Sequence, residues 1–291
     1  LGSFNNTNPG AVIYSGPISL GRSVFIAATR GNGTIFSGDI SGAGGITKTG
    51  VATLTFNGSK SYTGATAINE GTLTLGATGS IGNSSVISVA SGATFNVSAV
   101  TGGWTLGAAQ TLGGSGTVTG NVTIQGAHTP GNSPGVQTFV NNLAYSGGNS
   151  TVQWELIGNT TTNTGNTTYD QIIVGGNLNF ADATELDLVF NGSGSGVLWS
   201  NAFWGSNQTW TLYDVAGSTT NISSLTIDPG SWQDSGGTPL GSSVRAGSSF
   251  FLSQSGSDIL LNDVAVPEPS TLALAGIGCA VGVWIAKRRR R

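Results

Sequence analysis

The chain has 291 residues, of which 48 are Gly, none is Met and only 8% are charged. Ten Lys and Arg face 13 Asp and Glu, and five of the cations lie in Lys287–Arg291, so residues 1–286 carry a net charge of −8. A body this acidic offers no basic surface for phosphates, which argues against nucleic acid as a partner. The single cysteine, Cys279, leaves the fold without internal disulfides, so backbone hydrogen bonds and a repetitive core must stabilise it.

Short segments that alternate apolar and hydroxyl residues recur along the first half of the chain. In the segment ATLTFNG, Leu54 and Phe56 share one face of a strand, and Thr53 and Thr55 share the other. The leading inward residues of successive segments follow at intervals of about 20 to 25 residues, and they are Leu54, Leu73, Phe95 and Val118. This period, with glycine turns and no helical stretch, predicts an all-β parallel β-helix. An antiparallel sandwich is the competing fold.

A 32-residue segment, Gly45 to Gly76, strengthens the solenoid prediction. It resembles the autotransporter-associated β-strand repeat through Lys48-Thr49-Gly50, Tyr62-Thr63-Gly64 and Gly71-Thr72-Leu73. The resemblance implies a right-handed parallel β-helix on a bacterial surface.

The chain divides into three predicted regions. Residues 1–140 are expected to form β-helix coils, including the repeat at 45–76. Residues 141–263 read as less regular strands that form either further coils or a capping region, because an uncapped last coil would expose unpaired backbone groups. Residues 264–291 form a separate C-terminal segment, which begins where Pro residues end the strand pattern.

The C-terminal segment has the pattern of a membrane anchor. The residues from Ser270 to Ala286 are uncharged and would make a helix of about 25 Å, slightly short of a bilayer core. Its residues expected in the membrane include Leu272, Leu274, Ile277, Val281, Trp284 and Ile285. The terminal cations would hold that end in the cytoplasm, and they are Lys287, Arg288, Arg289, Arg290 and Arg291. Since this orientation requires export of the body, we expect a signal peptide to have preceded Leu1.

The order of parts in this segment resembles the PEP-CTERM sorting signal of Gram-negative bacteria. Val266, Pro267, Glu268 and Pro269 precede the apolar stretch, and the basic cluster ends it. The resemblance implies recognition and processing by an exosortase, a temporary transmembrane helix, and delivery to the surface or the matrix of a cell that makes exopolysaccharide. An ordinary tail anchor has the same apolar and basic parts.

The residues able to support catalysis are few. His128 is the only histidine and lies in a Pro-Gly stretch without catalytic partners, so a loop residue is expected. Asp182, Glu185 and Asp187 could form a carboxylate pair or a Ca²⁺ site, as in polysaccharide lyases, but no neighbouring cation supports this and a solvated strand face is favoured. We therefore predict no catalytic residue, no metal and no cofactor, with a polysaccharide-active enzyme as an alternative.

Two surface hypotheses remain. Trp199, Trp204 and Trp210 lie in an aromatic-rich stretch that could stack on an exopolysaccharide, although packing inside the fold is favoured. The pairs Thr53/Thr55, Thr72/Thr74 and Thr117/Thr119 could form an ice-binding array of methyl and hydroxyl groups. Their unequal intervals predict a ragged array, so ordinary solvent-facing threonines are favoured. The expected protein is an exported, non-catalytic surface or matrix β-helix, with ice binding as the most specific alternative.

Overall fold

The computed structural model describes residues 4–5, 11–29 and 33–266, and this part of the chain is all-β. It contains no α-helix, only four 3-10 turns at Thr164–Asn166, Ala202–Gly205, Ile222–Ser224 and Leu240–Ser242. Parallel strands stack into three long sheets and one two-stranded sheet. This is the arrangement of a β-solenoid, in which successive coils add parallel strands to the same sheets.

The first sheet has ten strands, in the order β1 (Phe4–Asn5), β4 (Val24–Ala27), β7 (Ile46–Thr49), β9 (Thr66–Ile68), β11 (Val86–Val89), β14 (Thr111–Gly114), β17 (Ala127–Pro130), β20 (Ser150–Glu155), β23 (Thr184–Val189) and β26 (Leu225–Ile227). The second sheet has eleven, in the order β2 (Val12–Tyr14), β5 (Thr34–Phe36), β8 (Thr53–Phe56), β10 (Thr72–Leu75), β12 (Thr94–Asn96), β15 (Thr117–Thr119), β18 (Val136–Phe139), β21 (Gln171–Val174), β24 (Gln208–Val215), β28 (Asp258–Val264) and β27 (Ser249–Ser255).

The third sheet forms a side of the C-terminal coils only. Its strands are β13 (Trp104–Leu106), β16 (Val122–Ile124), β19 (Leu143–Tyr145), β22 (Leu178–Phe180) and β25 (Thr219–Thr220). Near the N-terminus, β3 (Ile18–Leu20) pairs with β6 (Ile40–Gly42) in the same position of the coil. Every strand pair is parallel except the two that involve β28. The competing antiparallel sandwich is therefore wrong.

The core is a set of apolar columns that run along the stack. One column in the second sheet joins residues that the alternation placed inward, in the order Leu54, Leu73, Phe95, Val118, Phe139, Val174 and Val215. The first six of these side chains are fully buried, and Val215 is 5% exposed. Burying one such side chain stabilises the fold by roughly 1.5–3 kcal/mol, which allows a chain so rich in glycine to hold a single structure.

Two lysines lie inside the solenoid rather than at its surface. Lys48 faces inward between Ile26 and Ile68 of the neighbouring coils and is fully buried. Its ammonium group donates to the carbonyls of Thr49 (3.2 Å), Gly50 (2.6 Å) and Glu70 (2.9 Å). These carbonyls belong to two successive coils, so the cation joins the coils at a corner where the sheet ladder is interrupted.

Lys60 repeats this arrangement at another corner and is 1% exposed. Its ammonium group donates to Gly38 of one coil at 2.8 Å, and to Asn57 and Gly58 of the next. It also lies 5.8 Å from the centre of the Phe56 ring. Buried lysines are costly unless their donors are paired, and these two donate to backbone carbonyls at the corners of the coils.

The lower end of the solenoid, which is its C-terminal end, is closed by an antiparallel hairpin. Coil length in the second sheet rises from 21 residues between Thr138 and Thr117 to 35 and then 41 residues in the next two steps. The longer coils carry insertions at 156–170 and 190–207, and β27 and β28 then fold back on β24. The hairpin pairs the edge that β24 would otherwise leave open.

Candidate functional surfaces of the solenoid

The body ends immediately before the sorting segment. Strand β28 finishes at Val264, and Ala265 and Val266 are the last described residues. The other residues of the expected signal lie outside the described part, and they are Pro267, Glu268, Pro269, Leu272, Leu274, Ile277, Val281, Trp284, Ile285 and Lys287–Arg291. Over the described ranges, none of the helical segments has the length and apolarity needed to cross a bilayer.

The threonine pairs of the second sheet lie in register. Thr53, Thr72, Thr94, Thr117 and Thr138 are directly paired from one strand to the next, and Thr55, Thr74, Asn96 and Thr119 form a parallel column beside them. These side chains are half-buried. Neighbouring strands lie about 4.8 Å apart, which makes the surface a regular two-column array. The expectation of a ragged array is wrong, because turns between the sheets absorb the differences in coil length.

His128 is not a loop residue, contrary to expectation. It lies on β17 between Leu112 and Val152 of the adjacent coils, and its side chain is fully buried. Nδ1 lies 2.6 Å from the Tyr145 hydroxyl, and Nε2 lies 2.7 Å from Gln137 Oε1. The strand position hides it from solvent and therefore from any substrate.

The partners of His128 fix its protonation. Tyr213 donates to the Tyr145 hydroxyl at 3.0 Å, which leaves the Tyr145 proton for His128 Nδ1. The other ring nitrogen donates to Gln137, whose amide nitrogen donates to the Gly113 carbonyl. Both ring nitrogens are thus satisfied in the neutral imidazole, and burial lowers the pKa of His128 to about 4. The network specifies how these coils pack and supplies no base for catalysis.

The acidic residues expected at a possible site separate into two environments. Asp182 lies at a corner, where it accepts a hydrogen bond from the Gly147 amide at 2.9 Å. Glu185 and Asp187 share the outer face of β23, as predicted from the alternation. Burial raises the pKa of Asp187, and the neighbouring charge of Asp228 raises it further. Among the described residues, no group of three or more His, Cys, Asp or Glu could hold a metal ion.

A polar cavity of about 480 Å³ lies on the outer side of the first sheet and was not predicted from the sequence. Two buried acids line it: Glu155 accepts from the Ser133 hydroxyl at 2.8 Å, and Asp170 accepts from the backbone amides of Gly135 and Glu155. Burial raises the pKa of Asp170 to about 8, and the two amide hydrogen bonds oppose that shift. The Pro- and Gly-rich sequence at 130–135 indicates a loop at this position, but it could not show that Glu155 and Asp170 from later coils approach that loop.

The three tryptophans pack inside the fold, which is the role that the sequence favoured over the possible carbohydrate contact. Trp199, Trp204 and Trp210 are 1–2% exposed, and their rings pack with one another and with Phe190 and Phe250 at centroid distances of 4.8–6.4 Å. Each indole nitrogen donates a hydrogen bond inside the fold. Trp199 and Trp204 belong to the insertion at 190–207, and the rings of this aromatic cluster stabilise the lower end of the solenoid rather than face a sugar.

Comparison with known families identifies two short regions of the chain. Residues 46–75 match the passenger-associated-transport-repeat family, and residues 265–291 match the PEP-CTERM protein-sorting motif. The chain carries both motifs. A search of curated proteins finds no match to the chain. The PEP-CTERM motif indicates export and sorting to the cell-envelope surface of a Gram-negative bacterium.

The landmarks of the transport repeat are corner-forming residues in the structure. Lys48 binds the corner carbonyls described above, and the Tyr62 hydroxyl lies 2.6 Å from Thr66 Oγ1, which in turn contacts Ser84 Oγ at 2.8 Å. At Gly71, where φ is +62°, a Cβ atom would lie 2.6 Å from the Gly50 carbonyl oxygen, so only glycine fits between coils. The repeat therefore encodes coil stacking, and proteins with these two motifs are typically non-catalytic.

Proposed function

We propose that this chain is an exported, non-catalytic structural or adhesive protein of the cell surface or extracellular matrix, built on a right-handed parallel β-helix. An exosortase-type enzyme would recognise Val266, Pro267, Glu268 and Pro269. The observation that supports this most strongly is the PEP-CTERM motif at residues 265–291, which begins one residue after the last strand of a stacked body.

Each part of the chain has a distinct role in this proposal. Residues 1–140 and 141–263 form the exported body, and 264–291 form the sorting signal. Leu272 to Ala286 would be a temporary membrane anchor, and Lys287–Arg291 would hold its end in the cytoplasm. Exopolysaccharide is the proposed partner of this surface. The polar outer side of the first sheet offers it hydroxyl, amide and carboxylate groups for hydrogen bonding.

Replacing all five residues of Lys287–Arg291 by neutral residues is expected to abolish sorting. Without the terminal cations nothing fixes the orientation of the apolar segment, so the precursor should accumulate unprocessed. Immunoblots of fractionated cells measure both size and location. A control variant that exchanges the arginines for lysines should behave as the wild type, because it keeps the charge. Normal size and location in the neutral variant would contradict the proposed role.

Ice binding is a second candidate, and the register of the threonine array favours it. Two columns of Thr and Asn side chains at about 4.8 Å spacing give a surface with regularly spaced methyl and hydroxyl groups. No other described strand face repeats threonine through as many consecutive coils as the column from Thr53 to Thr138.

If the array binds ice, the purified protein should inhibit recrystallisation, and exchanging Thr72 and Thr74 for Leu should remove most of that activity. The larger side chains would interrupt both columns at their second residue. Thr151→Leu, on the outer face of the first sheet, is the matched control and should have no effect. Thermal hysteresis and ice recrystallisation assays give the readout. A wild-type protein that leaves ice growth unchanged excludes this candidate.

A further inference from the structure

The end cap holds the two residues that lead into the sorting motif. The Ala265 amide donates to Asn207 Oδ1 at 3.0 Å, and the Val266 amide donates to Ser248 Oγ at 3.1 Å. The Val266 carbonyl accepts from Arg245 Nη1 at 3.5 Å. Both backbone amides between β28 and Pro267 are therefore bonded to side chains of the body. We call Asn207, Arg245 and Ser248 the exit clamp.

The exit clamp is built from three separate segments of the end cap. Asn207 immediately precedes β24, and Ser248 immediately precedes β27, so both are positioned by the strands that flank β28. Arg245 is 3% exposed, and its guanidinium also donates to the Trp199 and Asn201 carbonyls at 3.3 and 3.4 Å. The clamp is thus tied to the aromatic cluster that closes the solenoid.

A buried carboxylate lies next to the clamp. Asp263, on β28, is 2% exposed, and neither of its oxygens has a hydrogen-bond partner among the described residues. Burial raises the pKa of Asp263 to about 7, and the charge of Arg245 opposes that shift. A buried acid with no hydrogen-bond donor is destabilising, so Asp263 lowers the stability of the end of β28 that leads into the clamp.

We infer that the exit clamp keeps the start of the sorting motif folded onto the body, and that Asn207, Arg245 and Ser248 are positioning residues which control processing of the motif. This rests on the proposed sorting function. Only Ala265 and Val266 separate the last strand from Pro267, and both are bound to the cap. An enzyme that needs an extended substrate must wait until these residues detach, so its rate follows the population of the open form.

The test uses the full chain in cells that contain the sorting enzyme. Asn207→Ala and Ser248→Ala each remove one side-chain acceptor, and losing one hydrogen bond of ordinary strength should raise the open population about fivefold. Pulse-chase measurement of the size change should show correspondingly faster processing in each variant. Asn207→Asp and Ser248→Thr keep an acceptor and should restore the wild-type rate, and Asn83→Ala, at a distant corner, is the control.

Hydrogen exchange separates this inference from the proposed function. The amides of Ala265 and Val266 should be protected in the wild type and lose protection in the Asn207→Ala and Ser248→Ala variants, whether or not any enzyme is present. Processing at the wild-type rate or slower in both alanine variants would overturn the inference, as would exchange protection that does not change. A wild-type chain that is never processed, with normal clamp protection, would instead refute the sorting function and the role of the clamp in it.

Discussion

Exchange of Lys48 for Met is expected to lower the free energy of unfolding by about 3 kcal/mol or more. Methionine matches the length of the buried stem but cannot donate, so the carbonyls of Gly50 and Glu70 lose their shared donor. The Thr49 carbonyl keeps its hydrogen bond from the Ala28 amide. Each partly buried carbonyl left unpaired costs about 1–3 kcal/mol, although water reaching the corner would reduce the sum. The loss of one cation should therefore loosen the contact between two coils.

Urea unfolding followed by circular dichroism measures this effect. Arg22→Met is the matched control because Arg22 is exposed on the same part of the solenoid, and its stability should change by less than about 0.5 kcal/mol. Equal stability of the Lys48→Met and Arg22→Met variants would show that the buried cation does not join the coils.

Acidification from pH 7 to pH 4 is expected to remove about 3 kcal/mol of stability through His128 alone. Burial lowers its folded-state pKa to about 4, whereas an unfolded histidine titrates near 6.5. Below pH 6.5 the His128 side chain becomes protonated in the unfolded chain, whereas in the folded chain it stays neutral until the pH approaches 4. The stabilisation is therefore complete above pH 6.5 and is lost progressively as the pH falls toward 4.

A His128→Gln variant isolates this contribution from that of the carboxylates. Glutamine offers one donor and one acceptor to Gln137 and Tyr145 but does not titrate in this range. The stability difference between wild type and variant, measured by urea unfolding at a series of pH values, should shrink by about 3 kcal/mol between pH 7 and pH 4. A difference that stays constant with pH would mean that the histidine is protonated equally in both states.

The stacking of the first half could be predicted because one face of each strand is apolar. Leu54, Leu73, Phe95 and Val118 alternate with hydroxyl residues at a period of two, and their spacing corresponds to one coil. The regularity of the threonine array could not be predicted from the intervals between these residues. Extra residues collect in turns such as 76–85, between the sheets, and leave the strand register unchanged.

The environments of His128 and the tryptophans depend on contacts between distant residues. The Pro and Gly that follow His128 resemble a loop locally, yet pairing with β14 and β20 holds the residue in a strand. Its hydrogen-bond partner Tyr145 in turn contacts Tyr213, 68 residues further along the chain. Trp199 and Trp204 belong to the insertion at 190–207, and their burial depends in part on Phe250, which lies more than 40 residues further along the chain.

The intact mass of the protein recovered from the envelope and the medium tests the central proposal most directly. Cells that contain the sorting enzyme should yield a body that has lost the apolar segment and Lys287–Arg291, and cells without the enzyme should retain the whole chain. Recovery of protein ending at Arg291 from every fraction of enzyme-containing cells would contradict the proposal that this solenoid is delivered through its C-terminal motif.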